Sequence, residues 1–130
     1  MTHLFDTNIV IYYFNGLTAD ETLHQRLAES FNISAITKIE FLGWSGFASD
    51  PRLYNQAQAF LSHAQVFALS EAIIEQTIRL RQQFKTKTPD AIIAATALVH
   101  DLTVVTHNTS DFERLGLNTE RVTLKPSLEQ

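Results

Sequence analysis

Thr88 to Phe112 reads TPDAIIAATALVHDLTVVTHNTSDF. Its first part, Thr88 to Val99, carries a single charge, Asp90, ahead of a run that is otherwise apolar apart from Thr96. Asp90, Ile93, Ala94 and Ala97 share one face at helical spacing, and the segment is apolar nearly all round, which predicts a buried helix. Leu102 to Thr106, LTVVT, is a short run rich in valine and threonine, the signature of a buried strand. A buried helix leading into a buried strand is the repeating unit of a parallel sheet covered on both faces.

The same alternation extends back along the chain. THLF (2–5) reads as a strand, NIVIYYFNG (8–16) as a short helix ended by Gly16, and ADETLHQRLAES (19–30) as an amphipathic helix. FNISA (31–35) and QVFAL (65–69) read as further strands. Between them ITKIEFLGWSGF (36–47) and PRLYNQAQAFLSHA (51–64) read as helices, the second opening on Pro51, where a missing amide is harmless. Ser70 is a fitting N-cap for EAIIEQTIRLRQQF (71–84), and Ser110 with Glu113 has the spacing of a capping box for DFERLG (111–116). RVTL (121–124) reads as a last edge strand. The expected class is α/β: a three-layer α/β/α sandwich with a mainly parallel central sheet. Without repeats or linkers, one domain over residues 1–130 is expected.

Composition narrows the function. The chain is 45% hydrophobic and 18% charged, ordinary for a globular protein. Its longest apolar runs, IVIYYF and AIIAATALV, fall short of the roughly 20 residues that span a bilayer, and the N-terminus lacks a basic segment followed by an apolar one. A cytoplasmic protein without a membrane partner is expected. With no cysteine, any metal must be held by oxygen or imidazole, and the five histidines show no paired ligand spacing. A net charge of −4 argues against coating nucleic acid through bulk positive charge. It leaves room for a local basic patch: RLRQQFKTK supplies Arg79, Arg81, Lys85 and Lys87 directly upstream of Asp90. Lys85 and Lys87 would hold phosphates beside a cleft, whereas Arg79 and Arg81 equally suit a solvated helix face.

Parallel sheets bind ligands beyond the carboxyl ends of their strands, and acids gather there. Asp6 directly follows the first strand, where it would serve equally as a helix N-cap. Glu40 falls on a stripe with Ile36, Gly43 and Phe47, costly for a carboxylate unless it pairs with Lys38, reaches water or binds a cation. Thr88 as N-cap and Pro89 would make Asp90 a favourable first-turn acid, and Ser110 would do the same for Asp111. Thr106 and Asn108 at the strand end could orient carboxylates or bond their own backbone. Two carboxylates about 4 Å apart at an effective dielectric near 20 repel by roughly 4 kcal/mol, so four gathered together call for a cation. Hard oxygen donors point to Mg²⁺ or Mn²⁺.

Here the residues resemble the PIN domain and, within it, the VapC-like toxins of bacterial toxin–antitoxin pairs. The resemblance rests on DTNIVIYYFNG, the isolated Glu40, TPDAIIAATA and VVTHNTSDF, in that order over essentially the whole chain. It implies a metal-dependent endoribonuclease, usually a homodimer, held inactive by a cognate antitoxin whose tail covers the active site. Asp6, Glu40, Asp90 and Asp111 match the family's acidic quartet, with Asp6 and Asp90 as direct ligands of Mg²⁺ or Mn²⁺ and Glu40 and Asp111 reaching the metal directly or through water. Thr7, Thr106 and Asn108 match polar positions that support the quartet. His107 departs from the pattern, since arginine often stands between the threonine and the asparagine. The implied chemistry is in-line hydrolysis of an RNA phosphodiester by metal-activated water.

Tyr12, Tyr13, Phe14, Trp44 and Phe47 would serve either as core or as a dimer or antitoxin surface. Two rival functions remain open on the residues. A phospho-accepting receiver-like domain would use the Lys125-Pro126 pair but needs an aspartate after the central strand, where QVFAL is followed by Ser70. A PIN-like binding module without catalysis is the other.

Overall fold

The computed structural model describes residues 3–126 and has the α/β architecture expected. The chain runs β1 (His3–Phe5), α1 (Thr7–Phe14), α2 (Leu23–Glu29), β2 (Asn32–Ser34), α3 (Ala35–Leu42), a 3-10 turn (Ser45–Ser49), α4 (Pro51–Leu61) and β3 (Gln65–Phe67). It continues with α5 (Glu71–Gln83), α6 (Thr88–His100), β4 (Thr103–Thr106), α7 (Thr109–Glu113) and β5 (Thr119–Arg121). Every ladder between these strands is parallel: β1 with β4, β4 with β5, and β2 with β3. β1 and β2 lie side by side but are joined by side chains, since Asn32 Nδ2 donates to the His3 carbonyl at 3.0 Å and His3 N–H to Ser30 Oγ at 3.4 Å. The spatial order is β3-β2-β1-β4-β5.

Adjacent strand residues point to opposite faces, and here both faces are covered. Leu4 and Val104 join a core with Ile73, Leu80, Ile93, Ala94 and Phe112, beneath α5 and α6. Phe5 and Val105 join the other, with Ile9, Val10, Ile33, Phe41, Phe47 and Leu61, beneath α1, α3 and α4. Each such side chain contributes roughly 1.5–3 kcal/mol on burial, so the middle strands tie the two helical layers together. α6 is buried from Ile93 to Ala97, as its apolar sequence predicts, and ends where Asp101 adopts the left-handed conformation, φ 55°.

Several boundaries differ from the sequence reading. The segment 36–47 is two elements: α3 stops at Leu42 with Gly43 as its C-cap, a position that excludes a side chain because a Cβ there would stand 2.5 Å from the Ile39 carbonyl oxygen, and the 3-10 turn follows. In that turn the Trp44 indole covers Gly46, with ring atoms 2.3–2.6 Å from where a Cβ would be. α2 spans only Leu23–Glu29, because Asp20 holds the preceding turn by accepting from the Thr22 backbone and hydroxyl. The Ser110–Glu113 capping box does not form; Asn108 is the N-cap of α7, and Glu113 Oε2 accepts from Thr119 Oγ1. The last strand lies two residues earlier than RVTL, at Thr119–Arg121, while Leu124 makes a single antiparallel bridge to Thr18. Thr2, the first residue of THLF, lies outside the described residues. Among the described residues no helix is long and apolar enough to cross a membrane.

Candidate active site

Asp6 leaves β1 at its carboxyl end. Its backbone serves α1, with the carbonyl accepting from Ile9 and Val10, but its side chain makes no cap bond. The carboxylate turns to Thr106 at the end of β4 and accepts from Thr106 Oγ1 at 2.9 Å. Asp6 is thus the N-cap residue of α1, as its position suggested, but its buried side chain, 7% exposed, is turned to the site rather than to the helix.

Three of the four predicted acids line one cleft of about 330 Å³: Asp6, Glu40 and Asp90, with Thr7, Asn8, Lys87, Pro89 and the apolar walls Ile11 and Ile93. Glu40 is solvent-exposed rather than embedded in an apolar stripe, because the buried face of α3 carries Thr37 and Phe41. Its Oε1 accepts from Thr7 Oγ1 at 2.9 Å, and among the described residues neither Lys38 nor any other base forms an ion pair with it. Asp90 is half-buried in the first turn of α6, one turn position later than expected, since Lys87 rather than Thr88 is the N-cap. Asp111 is exposed on α7 outside the cleft wall, yet near enough for its charge to act on Asp90.

The electrostatics reflect this crowding. Burial raises the Asp6 carboxyl to about 6, the Thr106 bond opposes the rise, and the charges of Asp90 and Glu40 add to it. Asp90 is also raised, first by burial and then by Asp111 and Glu40, against the pull of Lys87 and Arg114. A cleft in which burial and neighbouring acids raise Asp6 and Asp90, with no ion pair to any of the four acids among the described residues, has the donor chemistry of a hard divalent cation. Among the described residues no group of three or more histidine, aspartate or glutamate side chains is gathered tightly enough to enclose an ion.

The supporting residues divide. Thr7 and Thr106 each donate to a site carboxylate, and Asn108 supports Thr106 through its backbone N–H, 3.1 Å from Thr106 Oγ1. Lys87 lines the cleft, while Lys85 is exposed and not part of its wall. Sequence reading missed Thr37 and Arg114. Arg114 donates to the Lys85 carbonyl at 2.9 Å, joining the end of α7 to the loop that carries Lys87. Its spacing from Asp111, three residues on, was the available signal. His107 bonds the Val122 carbonyl through Nδ1 at 3.1 Å, and so ties the end of β4 to the chain beyond β5. Ser70, where a phospho-accepting domain would need its aspartate, caps α5 by accepting from Ile73 N–H.

A second, apolar groove of about 360 Å³ adjoins the acids. Ile11 and Glu40 belong to both, and Phe14, Asn15, Phe41, Trp44, Phe47 and Leu53 complete it. Of the aromatics singled out in the sequence, Phe47 is buried, Tyr12, Tyr13 and Phe14 are half-buried, and Trp44 stays 57% exposed.

The model of the PIN domain family matches residues 4–117. Among solved structures, a toxin–antitoxin complex from Klebsiella pneumoniae contains a chain 36% identical, with a TM-score of 0.69, over 85% of this chain and 90% of that one. FitAcB from Neisseria gonorrhoeae is 25% identical with a TM-score of 0.72, over 90% and 95% of the two chains. VapBC-1 from nontypeable Haemophilus influenzae, 22% identical, shares the fold with a TM-score of 0.78 over 93% and 98%. No curated protein matches the sequence. With the family model covering most of the chain and all four acids, the chain belongs to the PIN domain family.

Proposed function

We propose that this chain is the toxin of a toxin–antitoxin pair and a metal-dependent endoribonuclease acting in the cytoplasm. PIN-domain toxins are nucleases that generally use divalent metal ions. The observation that carries the reading is the convergence of Asp6, Glu40 and Asp90 on one cleft at the carboxyl ends of β1 and β4. Asp6 and Asp90 would hold a Mg²⁺ or Mn²⁺ ion, with Glu40 and Asp111 reaching it directly or through water. Such an ion supplies Lewis acidity toward a phosphodiester and makes water a competent nucleophile at neutral pH.

The chain's own residues do the rest. Thr106 and Thr7 keep the carboxylates of Asp6 and Glu40 aimed by donating to them. Lys87, at the N-cap of α6, offers a positive charge to a substrate phosphate at the cleft wall, and Lys85 contributes only at longer range. Ile11 and Ile93 limit water at one side of the acids. No side-chain nucleophile is needed, so the products should end in 5′ phosphate and 3′ hydroxyl.

The apolar groove beside Glu40 suits the tail of an antitoxin, which would cover the acids as it fills the space between Phe14 and Trp44. The Klebsiella relative comes from such a complex, which supports the partner assignment. The reading includes a homodimer.

The test is end analysis of RNA cut by the chain after it has been freed of any co-purified partner. Fragments with 5′ phosphates that disappear in EDTA support the reading; fragments ending in cyclic phosphate contradict it.

A further inference from the structure

Thr37 is fully buried on α3, three residues ahead of Glu40. Buried threonines within helices commonly return their proton to the carbonyl one turn back, as Thr77 does to Ile73 and Thr96 to Ile92. Thr37 instead reaches across to α1, where its Oγ1 lies 2.9 Å from Thr7 Oγ1.

The direction of that bond follows from counting protons. A hydroxyl has one proton, and an ionised carboxylate only accepts. Thr7 Oγ1 is 2.9 Å from Glu40 Oε1, so the Thr7 proton is committed to Glu40. The bond between the two threonines must therefore be donated by Thr37. Donation runs from Thr37 to Thr7 to Glu40.

The opposite wall of the cleft is built the same way. The Asn108 backbone N–H donates to Thr106 Oγ1, and Thr106 donates to Asp6 Oδ2. In both arms a donor behind the threonine occupies a lone pair of its hydroxyl and turns the single proton toward a site carboxylate. Chained donors also polarise one another, which strengthens the last bond.

We propose that Thr37 is a positioning residue of the acidic cleft: as the donor behind Thr7, it commits the Thr7 proton to Glu40 and holds that carboxylate in place for a divalent cation. This rests on the metal-dependent nuclease reading above. Partners one bond removed from metal ligands typically change metal affinity 10–100-fold.

The test is calorimetric Mn²⁺ affinity, with RNA cleavage alongside, for the wild-type chain, Thr37→Val, Thr37→Ser, Glu40→Gln and the Glu40→Gln/Thr37→Val double variant. Thr37→Val keeps the shape and loses the hydroxyl; affinity is expected to fall about tenfold. Thr37→Ser keeps the hydroxyl and should retain the wild-type value, and in the Glu40→Gln background Thr37→Val should add nothing. Wild-type affinity in Thr37→Val overturns the proposal. So does a Thr37→Ser chain as weak as Glu40→Gln, a result that holds even if the valine variant does not fold. A wild-type chain that neither binds Mn²⁺ nor cuts RNA overturns the nuclease reading itself, and Thr37's role with it.

Discussion

Thr106 Oγ1 donates to Asp6 Oδ2 at 2.9 Å although the two residues stand 100 positions apart in the chain. The parallel pairing of β1 and β4 sets Phe5 opposite Val105, so the next residue on each strand emerges at the same rim. Hydrogen bonds to charged groups contribute about 1.5–3 kcal/mol, and this one also opposes the rise of the Asp6 carboxyl. Thr106→Val should cost about 2 kcal/mol in urea unfolding at pH 7.5 and weaken Mn²⁺ binding, while Thr106→Ser restores most of both.

The buried Asp6 carboxyl makes stability depend on pH. Its folded value of about 6 lies above the ordinary 3.8, so the folded chain holds that proton more tightly than the unfolded chain. The resulting stabilisation is fully present below about pH 4 and is lost as pH rises through 6. It amounts to about 3 kcal/mol. In EDTA, the stability of Asp6→Asn relative to wild type should therefore increase between pH 4 and 7 and level off above. Denaturant unfolding across that range measures it, and a difference independent of pH would contradict it.

Metal binding should reverse the strain of gathering these acids. At a Mn²⁺ concentration 100 times the dissociation constant, the folded state gains about 2.7 kcal/mol, visible as a higher melting temperature that EDTA abolishes. Asp6→Asn and Asp90→Asn should each remove the shift.

The two lysines should separate. Lys87 lines the cleft and Lys85 does not. Lys87→Gln should weaken RNA binding and reduce the salt dependence of affinity by about one ion, with Lys85→Gln close to wild type. Equal effects from both would place the phosphate path along the loop rather than at the cleft.

The layers of the fold were legible because apolar runs such as AIIAATALV and LTVVT admit few other readings. The acids were legible by position after strands, and by family pattern. Capping details were not, because a residue without a capping side chain can hold the N-cap position beside one that has it, as Lys87 does beside Thr88, or two capping residues stand close together, as Asn108 and Ser110 do, and the choice depends on backbone angles set by the sheet. The break at Gly43 was legible in principle, since a glycine ahead of Trp44 is a poor helix interior. Thr37 was hidden because its partner, Thr7, lies 30 positions away on another helix. No local spacing reveals a bond of that kind.

The most direct test is cleavage of total cellular RNA by the partner-free chain in Mn²⁺, Mg²⁺ and EDTA, with Asp90→Asn alongside. The account predicts metal-dependent fragments from the wild type and none from Asp90→Asn, which should also bind Mn²⁺ more weakly. Absence of cleavage in every condition, with equal Mn²⁺ affinity in both proteins, would leave Asp90 as an acid that merely starts α6 and the chain as a binding module on a PIN fold.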